Sequence, residues 1–471
     1  MSFFGIIGNE RTSVAGSVYY GLYALMHRGQ ESCGITVNDD GLFRTHKGTG
    51  LVNDVFDNES LAHLGEGTMA IGHVRYGTLR TKGRENVEPV VVNHVKGRLA
   101  IATEGCLVNS GELRRELELR GMIFHSNSDA EIISYVITAE RLNAPSIEEA
   151  VNRAMSRLKG GYCLLLMSPQ KLIAARDENG LHPVCYGKRE DGQYVIASES
   201  CALDSVGATF IRELEPGEIL VFSHDGIKSI KDHCGKRPEA LCVFEYLYTA
   251  RPDSVICGRS VHAARRRAGA LLAEAHPVEA DVVVGVPDSG LDAALGYAEK
   301  SGIPYGIGLI KNKYIGRTFI APGQDVREDK VRIKLNPISD TVRGKRVVLV
   351  DDSIVRGTTC ARIVRLIRNA GATEVHLRSS APPFMNPCYY GTDIDSCESL
   401  IACHHTTEEI ARIVGADTLG YLRLEDVTRI AEGGRCGGYC TACFDGKYPT
   451  EPPTKYVSKF ENKISESESK K

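Results

Sequence analysis

KRVVLVDDSIVRGTT, residues 345–359, runs from an apolar stretch through two adjacent acids into a glycine and hydroxyl-bearing side chains. VVLV has the length and β-branched content of a buried parallel strand, which sets Asp351 and Asp352 at its carboxyl end, where α/β sheets hold their ligands. SIVRGTT then opens a helix. Its free backbone N–H groups, with the hydroxyls of Ser353, Thr358 and Thr359, form a cradle for a phosphate dianion, and Gly357 lets the backbone come close. Two carboxylates beside such a cradle suit the vicinal hydroxyls of a ribose, with Mg²⁺ bridging near them. The same residues also satisfy a plain capped helix start, in which acids favour the dipole and no ligand is required.

Outward from this turn, the chain beyond about residue 258 alternates between helix and strand. Helix SVHAARRRAGALLAEA precedes strand ADVVVGVP, helix GLDAALGYAEKSG and the stretch IPYGIGLI; after KRVVLV come helix TCARIVRLIRNAGA and strand EVHLRSSAP. That order predicts a parallel sheet. The first 230 residues differ. Short β-like runs such as GTMAIGHVRYG, GRLAIATEG and GYCLLLMS, with amphipathic helices between them, predict an α+β layered domain. The polar stretch SHDGIKSIKDHCGKRPEA reads as its exit linker, and the charged end SKFENKISESESKK reads as disordered. The expected divisions are residues 1–235, 236–430 and 431–471.

With 471 residues the chain is long enough for two or three cores. Its 57 basic and 60 acidic residues leave a net charge of −3, which gives no reason to expect nucleic acid or an acidic membrane as partner. No apolar run approaches the roughly 20 residues that cross a bilayer, and the first residues lack a signal-peptide pattern, so the cytoplasm is the expected address. Fifteen scattered cysteines point to thiolate ligands rather than to a disulfide framework.

The strand with DDSIVRGTT resembles the phosphoribosylpyrophosphate (PRPP) signature of type I phosphoribosyltransferases. GVPDSG (285–290) resembles their pyrophosphate loop, with Ser289 beside metal or diphosphate. KNKYIGRTFI (311–320), followed by VREDKVRIKL, resembles their closing loop, with Lys311 and Arg317 as diphosphate partners. Together with the N-terminal half, from FFGIIG to FDGKYPTE, the chain resembles the glutamine PRPP amidotransferase family. The resemblance implies a nucleophile-hydrolase-like αββα sandwich followed by a type I phosphoribosyltransferase domain. PRPP would be bound by Asp351, Asp352, Ser353, Arg356, Gly357, Thr358 and Thr359, and Mg²⁺ by Ser289, Asp351 and Asp352. One branch of the family carries a 4Fe-4S cluster, whose ligand positions match Cys242, Cys388, Cys440 and Cys443; zinc would accept the same thiolates, Cys436 lies close enough to compete, and Cys403 reads as structural.

The glutaminase half departs from the family. Aligning FFGIIGNE puts Met1 where the nucleophilic cysteine belongs, and Ser2 after it, which could serve as nucleophile only with Met1 removed. Where the family has HNGNLVN this chain has TEGCLVN, so the asparagine that donates to the oxyanion has become Glu104. Losing such a donor typically costs ~10²–10³ in rate, and a carboxylate also repels the developing charge. Arg28, Arg75 and Asp129 remain as the expected glutamine-binding residues, or else as ordinary ion pairs of the fold. The implied reaction is formation of 5-phosphoribosylamine from PRPP, with ammonia from solution or from a partner with a working glutaminase; the expected assembly is a homo-oligomer or a hetero-oligomer with a glutaminase-competent paralogue. The alternative is a non-catalytic regulatory paralogue that binds PRPP, nucleotide or glutamine.

Overall fold

A computed structural model of the chain describes residues 1–76, 83–312, 335–392, 394 and 396–453. Two antiparallel sheets stack in the N-terminal half. Strand Ser2–Thr12 lies centrally in the first, a seven-stranded sheet, between Tyr194–Ala197 and Gly67–Arg75. The second sheet has six strands and includes Gly97–Leu107 paired with Gly160–Met167.

Alternation along the strands places one apolar set between the sheets and a second set outward under helices. Phe3, Met69, Ile71, Leu165 and Leu220 interdigitate between the sheets. Phe4, Ile6, Val74 and Val195 face the helix Val14–Ala24. Ile101, Leu164 and Leu166 face the helices Asp129–Asn143 and Ile147–Met155. The result is the expected αββα sandwich.

The expected exit linker is corrected in part: Gly226–Ile230 is an edge strand paired with Ile219–Ser223. Its composition concealed it. One face of an edge strand meets solvent, so only Ile227 and Ile230 carry large apolar groups, and the two-residue hairpin loop ends at Gly226 with φ 116°.

In the second half, Val282–Gly285, Arg346–Asp351, Glu374–Ser379 and Thr418–Tyr421 form a parallel sheet in that order. IPYGIGLI contributes less strand than its apolar content predicts. Tyr305 makes a single parallel bridge to Val283, and Leu309–Lys311 pairs antiparallel with Leu335–Pro337. Gly306 and Gly308 explain the closeness: a Cβ on either would meet the side chains of Val282 or Val284 at 2.7 and 2.6 Å.

The two halves are tied together. Leu241–Cys242 pairs in parallel with Tyr439–Cys440, which brings the C-terminal segment back to the junction. Among the described residues no helix is long and apolar enough to cross a membrane. The sequence segment 458–471, Arg317 and most of the closing-loop motif lie outside the described residues.

Candidate active site

Strand Arg346–Asp351 ends in Asp351 and Asp352, both buried, and the helix Thr358–Asn369 starts just beyond them. Gly357 precedes that helix with φ 75°, a left-handed conformation that costs glycine little. The turn therefore points the first N–H groups of the helix outward from the carboxyl edge of the sheet.

Asp351 Oδ1 accepts the Asp352 N–H at 2.9 Å, and the Cys360 thiol donates to Asp351 Oδ2 at 3.6 Å. Asp352 accepts from the hydroxyls of Ser289 and Ser353. Burial holds the carboxyl of Asp351 well above the ordinary carboxylate range, with the neighbouring Asp352 adding to the effect. Burial also raises Asp352, against the pull of its two hydroxyl donors. These are acids placed where their ionisation is unfavourable without a partner.

Ser289 reaches Asp352 from the adjacent strand's loop, GVPDSG. That approach is close: a Cβ on Gly290 would come within 2.6 Å of the Val350 carbonyl. On the same rim Lys311 pairs with Asp288, a partner the sequence reading missed. Ser289 of the pyrophosphate loop thus meets Asp352 of the turn, and Lys311 of the closing-loop motif meets Asp288 of that same loop, an arrangement suited to a phosphorylated sugar carrying a second anionic group.

The N-terminal half presents a different centre. Arg28 is 5% exposed, and all five of its N–H donors are taken. Nε donates to Ser2 Oγ at 2.7 Å, Nη1 to Glu199 at 2.9 Å and Glu245 at 2.8 Å, and Nη2 to Glu104 at 2.7 Å and Glu245 at 2.8 Å. The donors of Arg28, expected to bind glutamine, are held here by Ser2 and three buried carboxylates. Ser2 is fully buried, and its hydroxyl lies on Arg28 and donates to the Met1 carbonyl at 2.6 Å.

Glu199, Glu245 and His182 complete this network and were missed in the sequence. The available signal was weak: a single acid inside an apolar run, as in CVFEYLY, must find a buried partner. His182 Nε2 faces the Tyr390 carbonyl at 2.7 Å and Nδ1 faces Glu245 at 3.4 Å, two acceptors that together favour the imidazolium. Burial works to lower its pKa, but the Glu245 hydrogen bond and the charges of Glu104 and Glu245 outweigh it and raise the value. Burial likewise opposes ionisation of Glu245, yet Arg28 and His182 hold it down to about 2.

Glu104, His182 and Glu245 bring ligand atoms within 4.8 Å of one another, but a cation there would have to displace the guanidinium already bridging the two acids. Arg75 is held by Glu88 at 2.9 Å and by the Asn86 carbonyl at 2.9 Å; its buried Nε has no partner among the described residues. Asp129 sits at its helix start and accepts the Leu107 N–H at 2.8 Å.

Cys242, Cys388, Cys440 and Cys443 line one cavity, together with Phe244, Phe384 and His182. Burial raises the thiol of Cys242 well above its usual value and pushes Cys440 up to about 12. Among the described residues no three of these sulfurs lie within 4.8 Å of one another. Tetrahedral zinc, with bonds of about 2.3 Å, needs its sulfurs roughly 3.8 Å apart. The all-thiol donor set suits an iron-sulfur cluster, in which each sulfur binds a different iron. Cys436 turns away to the Cys257 thiol and the Gly438 carbonyl.

Comparison with known proteins gives a consistent picture. Residues 78–205 match the glutamine amidotransferase domain family and residues 259–430 the phosphoribosyl transferase domain family. The chain is 49% identical over 462 residues to an amidophosphoribosyltransferase of Methanocaldococcus jannaschii, covering 95% of this chain and 97% of that one. An amidophosphoribosyltransferase of Bacillus subtilis is 48% identical, with 95% and 94% covered. The solved B. subtilis glutamine PRPP amidotransferase complexed with ADP and GMP superposes with a TM-score of 0.89 at 47% identity, covering 96% of this chain and 98% of that one.

Proposed function

Since the chain belongs to the amidophosphoribosyltransferase family, we propose that it makes 5-phosphoribosylamine from ammonia that its own N-terminal half does not release from glutamine. The transferase reaction converts PRPP to 5-phosphoribosylamine, the committed nitrogen of purine biosynthesis. The source of that nitrogen rests on one observation: the Arg28 network.

Hydrolysis of glutamine in this sandwich needs a nucleophile at the start of the first strand and donors for the oxyanion. Here that position is Met1, whatever precedes it, and the strand that should supply a donor supplies Glu104. Glu104 is also bound to Arg28, so its charge is fixed in place. Both halves of the glutaminase chemistry are missing from one closed, charge-paired cluster. Ammonia then comes from solution or from a partner with a working glutaminase.

In the transferase half, the N–H groups and hydroxyls at Thr358 and Thr359 would receive the 5′-phosphate, with Ser353, Arg356 and Gly357 completing the turn. Asp351 and Asp352 would take the ribose hydroxyls. Ser289, Asp351 and Asp352 would offer oxygen donors to Mg²⁺, with Ser289 already within hydrogen-bond reach of Asp352; the ion would supply positive charge to the leaving diphosphate. Lys311, with Arg317, would stabilise the same charge as it develops.

Binding should be linked to protons. Because the folded acids have raised pKa values, they hold protons to a higher pH than free carboxylates do, and a ligand that requires the ionised pair must expel them. Affinity for PRPP with Mg²⁺ is therefore expected to rise with pH through that range. Titration calorimetry in two buffers of different ionisation enthalpy should give different heats, and Asp351→Asn should reduce the difference. Equal heats in both buffers for the native chain would contradict the linkage.

For the cysteine cavity we infer a 4Fe-4S cluster bound by Cys242, Cys388, Cys440 and Cys443, pinning the C-terminal segment across both halves. Anaerobically purified protein should contain iron and acid-labile sulfide in equal amounts, and Cys440→Ser should lose both. Stoichiometric zinc instead would overturn this assignment. The test of the functional reading itself is pyrophosphate release from PRPP with ammonium and, separately, with glutamine. Release is expected with the first only.

A further inference from the structure

Two thiols outside the cluster cavity converge on a single backbone oxygen. Cys403 Sγ donates to the Met385 carbonyl at 3.3 Å, and Cys397 Sγ reaches the same oxygen at 3.6 Å. The two thiols also contact each other. Cys397 is exposed and Cys403 half-buried. Between them the chain makes two tight turns, closed by Leu400 N–H to the Cys397 carbonyl and Cys403 N–H to the Leu400 carbonyl, both at 3.1 Å.

This short segment touches both functional parts of the second half. Ile401 donates its N–H to the Val355 carbonyl, inside the phosphate turn, at 3.0 Å. Its Cδ1 lies where a Cβ on Gly357 would come within 2.7 Å, so Ile401 packs directly on the residue whose conformation opens the helix. On the other side, the Met385 N–H bonds to the carbonyl of Cys443, a residue of the cysteine cavity, at 2.9 Å.

We infer that Cys397 and Cys403 form a redox-active dithiol, closed to a disulfide by exchange with a small-molecule disulfide of the glutathione type, and that closure changes how the adjoining turn holds PRPP. The second clause rests on the functional reading above; the first does not. Exposed Cys397 gives its proton to solvent, and its thiolate attacks one sulfur of the oxidant, forming a mixed disulfide and releasing one thiolate, which is protonated. Cys403 then loses its proton and attacks the Cys397 sulfur, expelling the second thiolate. Two protein thiols are oxidised to one disulfide while the small disulfide is reduced to two thiols. Burial and the adjacent Cys397 sulfur raise the thiol of Cys403, which leaves the exposed Cys397 as the one that attacks first. Closure removes both S–H donors from the Met385 carbonyl and fixes the ends of the segment carrying Ile401.

The holoprotein, treated anaerobically with oxidised glutathione, provides the test. Glu398 lies between the two cysteines, so after blocking of free thiols and cleavage there, the two halves should remain joined and be lighter by two hydrogens. The dissociation constant for PRPP should shift about fivefold or more, the lower end of typical couplings between sites, and should not shift in Cys397→Ser treated identically. Recovery of both cysteines in alkylated form would overturn the dithiol. A disulfide with unchanged PRPP affinity would overturn the coupling. A reduced protein that forms the disulfide but never binds PRPP would instead overturn the functional reading, together with the coupling built on it.

Discussion

Replacing both Asp351 and Asp352 by asparagine is expected to cut ammonium-dependent turnover of PRPP by about 10²–10⁴-fold, since each hydrogen bond to a charged group contributes about 1.5–3 kcal/mol. The same change should make the protein more stable. Burial raises both carboxyls in the fold, so the penalty for ionising them is absent at low pH and appears as pH rises from the unfolded value through the folded one. Asparagine carries no such penalty. A gain in stability at neutral pH is expected, read from urea midpoints alongside initial rates. Activity retained within an order of magnitude would contradict the role given to the pair, as would a fall in stability.

Arg28→Met is the second large effect, and it acts on the fold. The guanidinium neutralises Glu104, Glu199 and Glu245, whose side chains are 4%, 0% and 2% exposed. Removing one member of a buried ion pair typically costs about 3–5 kcal/mol because the partner is left uncompensated. Here three partners are left, two in the N-terminal half and one, Glu245, in the second. The loss should appear as a lower urea midpoint and as weaker coupling between the halves. It should also depend on pH in a defined sense. Glu245 is held down to about 2 chiefly by Arg28 against the opposing effect of burial, so the native network stabilises fully above the ordinary carboxylate range and loses that contribution as pH falls toward 2. The variant should lack this acid-side decline. An unchanged midpoint would show that the network is not carrying the junction.

The phosphate turn was legible in the sequence because everything it needs is local. A β-branched strand, two acids, a glycine and two threonines stand in fifteen consecutive residues, and chain direction alone puts the acids at the sheet's carboxyl edge. The fate of Arg28 was not legible. Its partners lie 76, 171 and 217 residues away, and nothing in HRGQE distinguishes an arginine waiting for substrate from one already neutralised. Glu104 was visible as a misplaced charge, but the cation that makes it tolerable was not. The edge strand Gly226–Ile230 escaped for a simpler reason: half of its side chains face water, and a polar strand reads like a loop.

The central claim is that this chain aminates PRPP while its own N-terminal half leaves glutamine intact. The most direct measurement supplies the purified protein with PRPP, Mg²⁺, ammonium and glutamine together, and counts glutamate formed for each pyrophosphate released. A ratio near zero with steady pyrophosphate release is the expected result. A ratio near one, meaning each turnover consumes a glutamine despite Met1, Glu104 and the occupied Arg28, would contradict it.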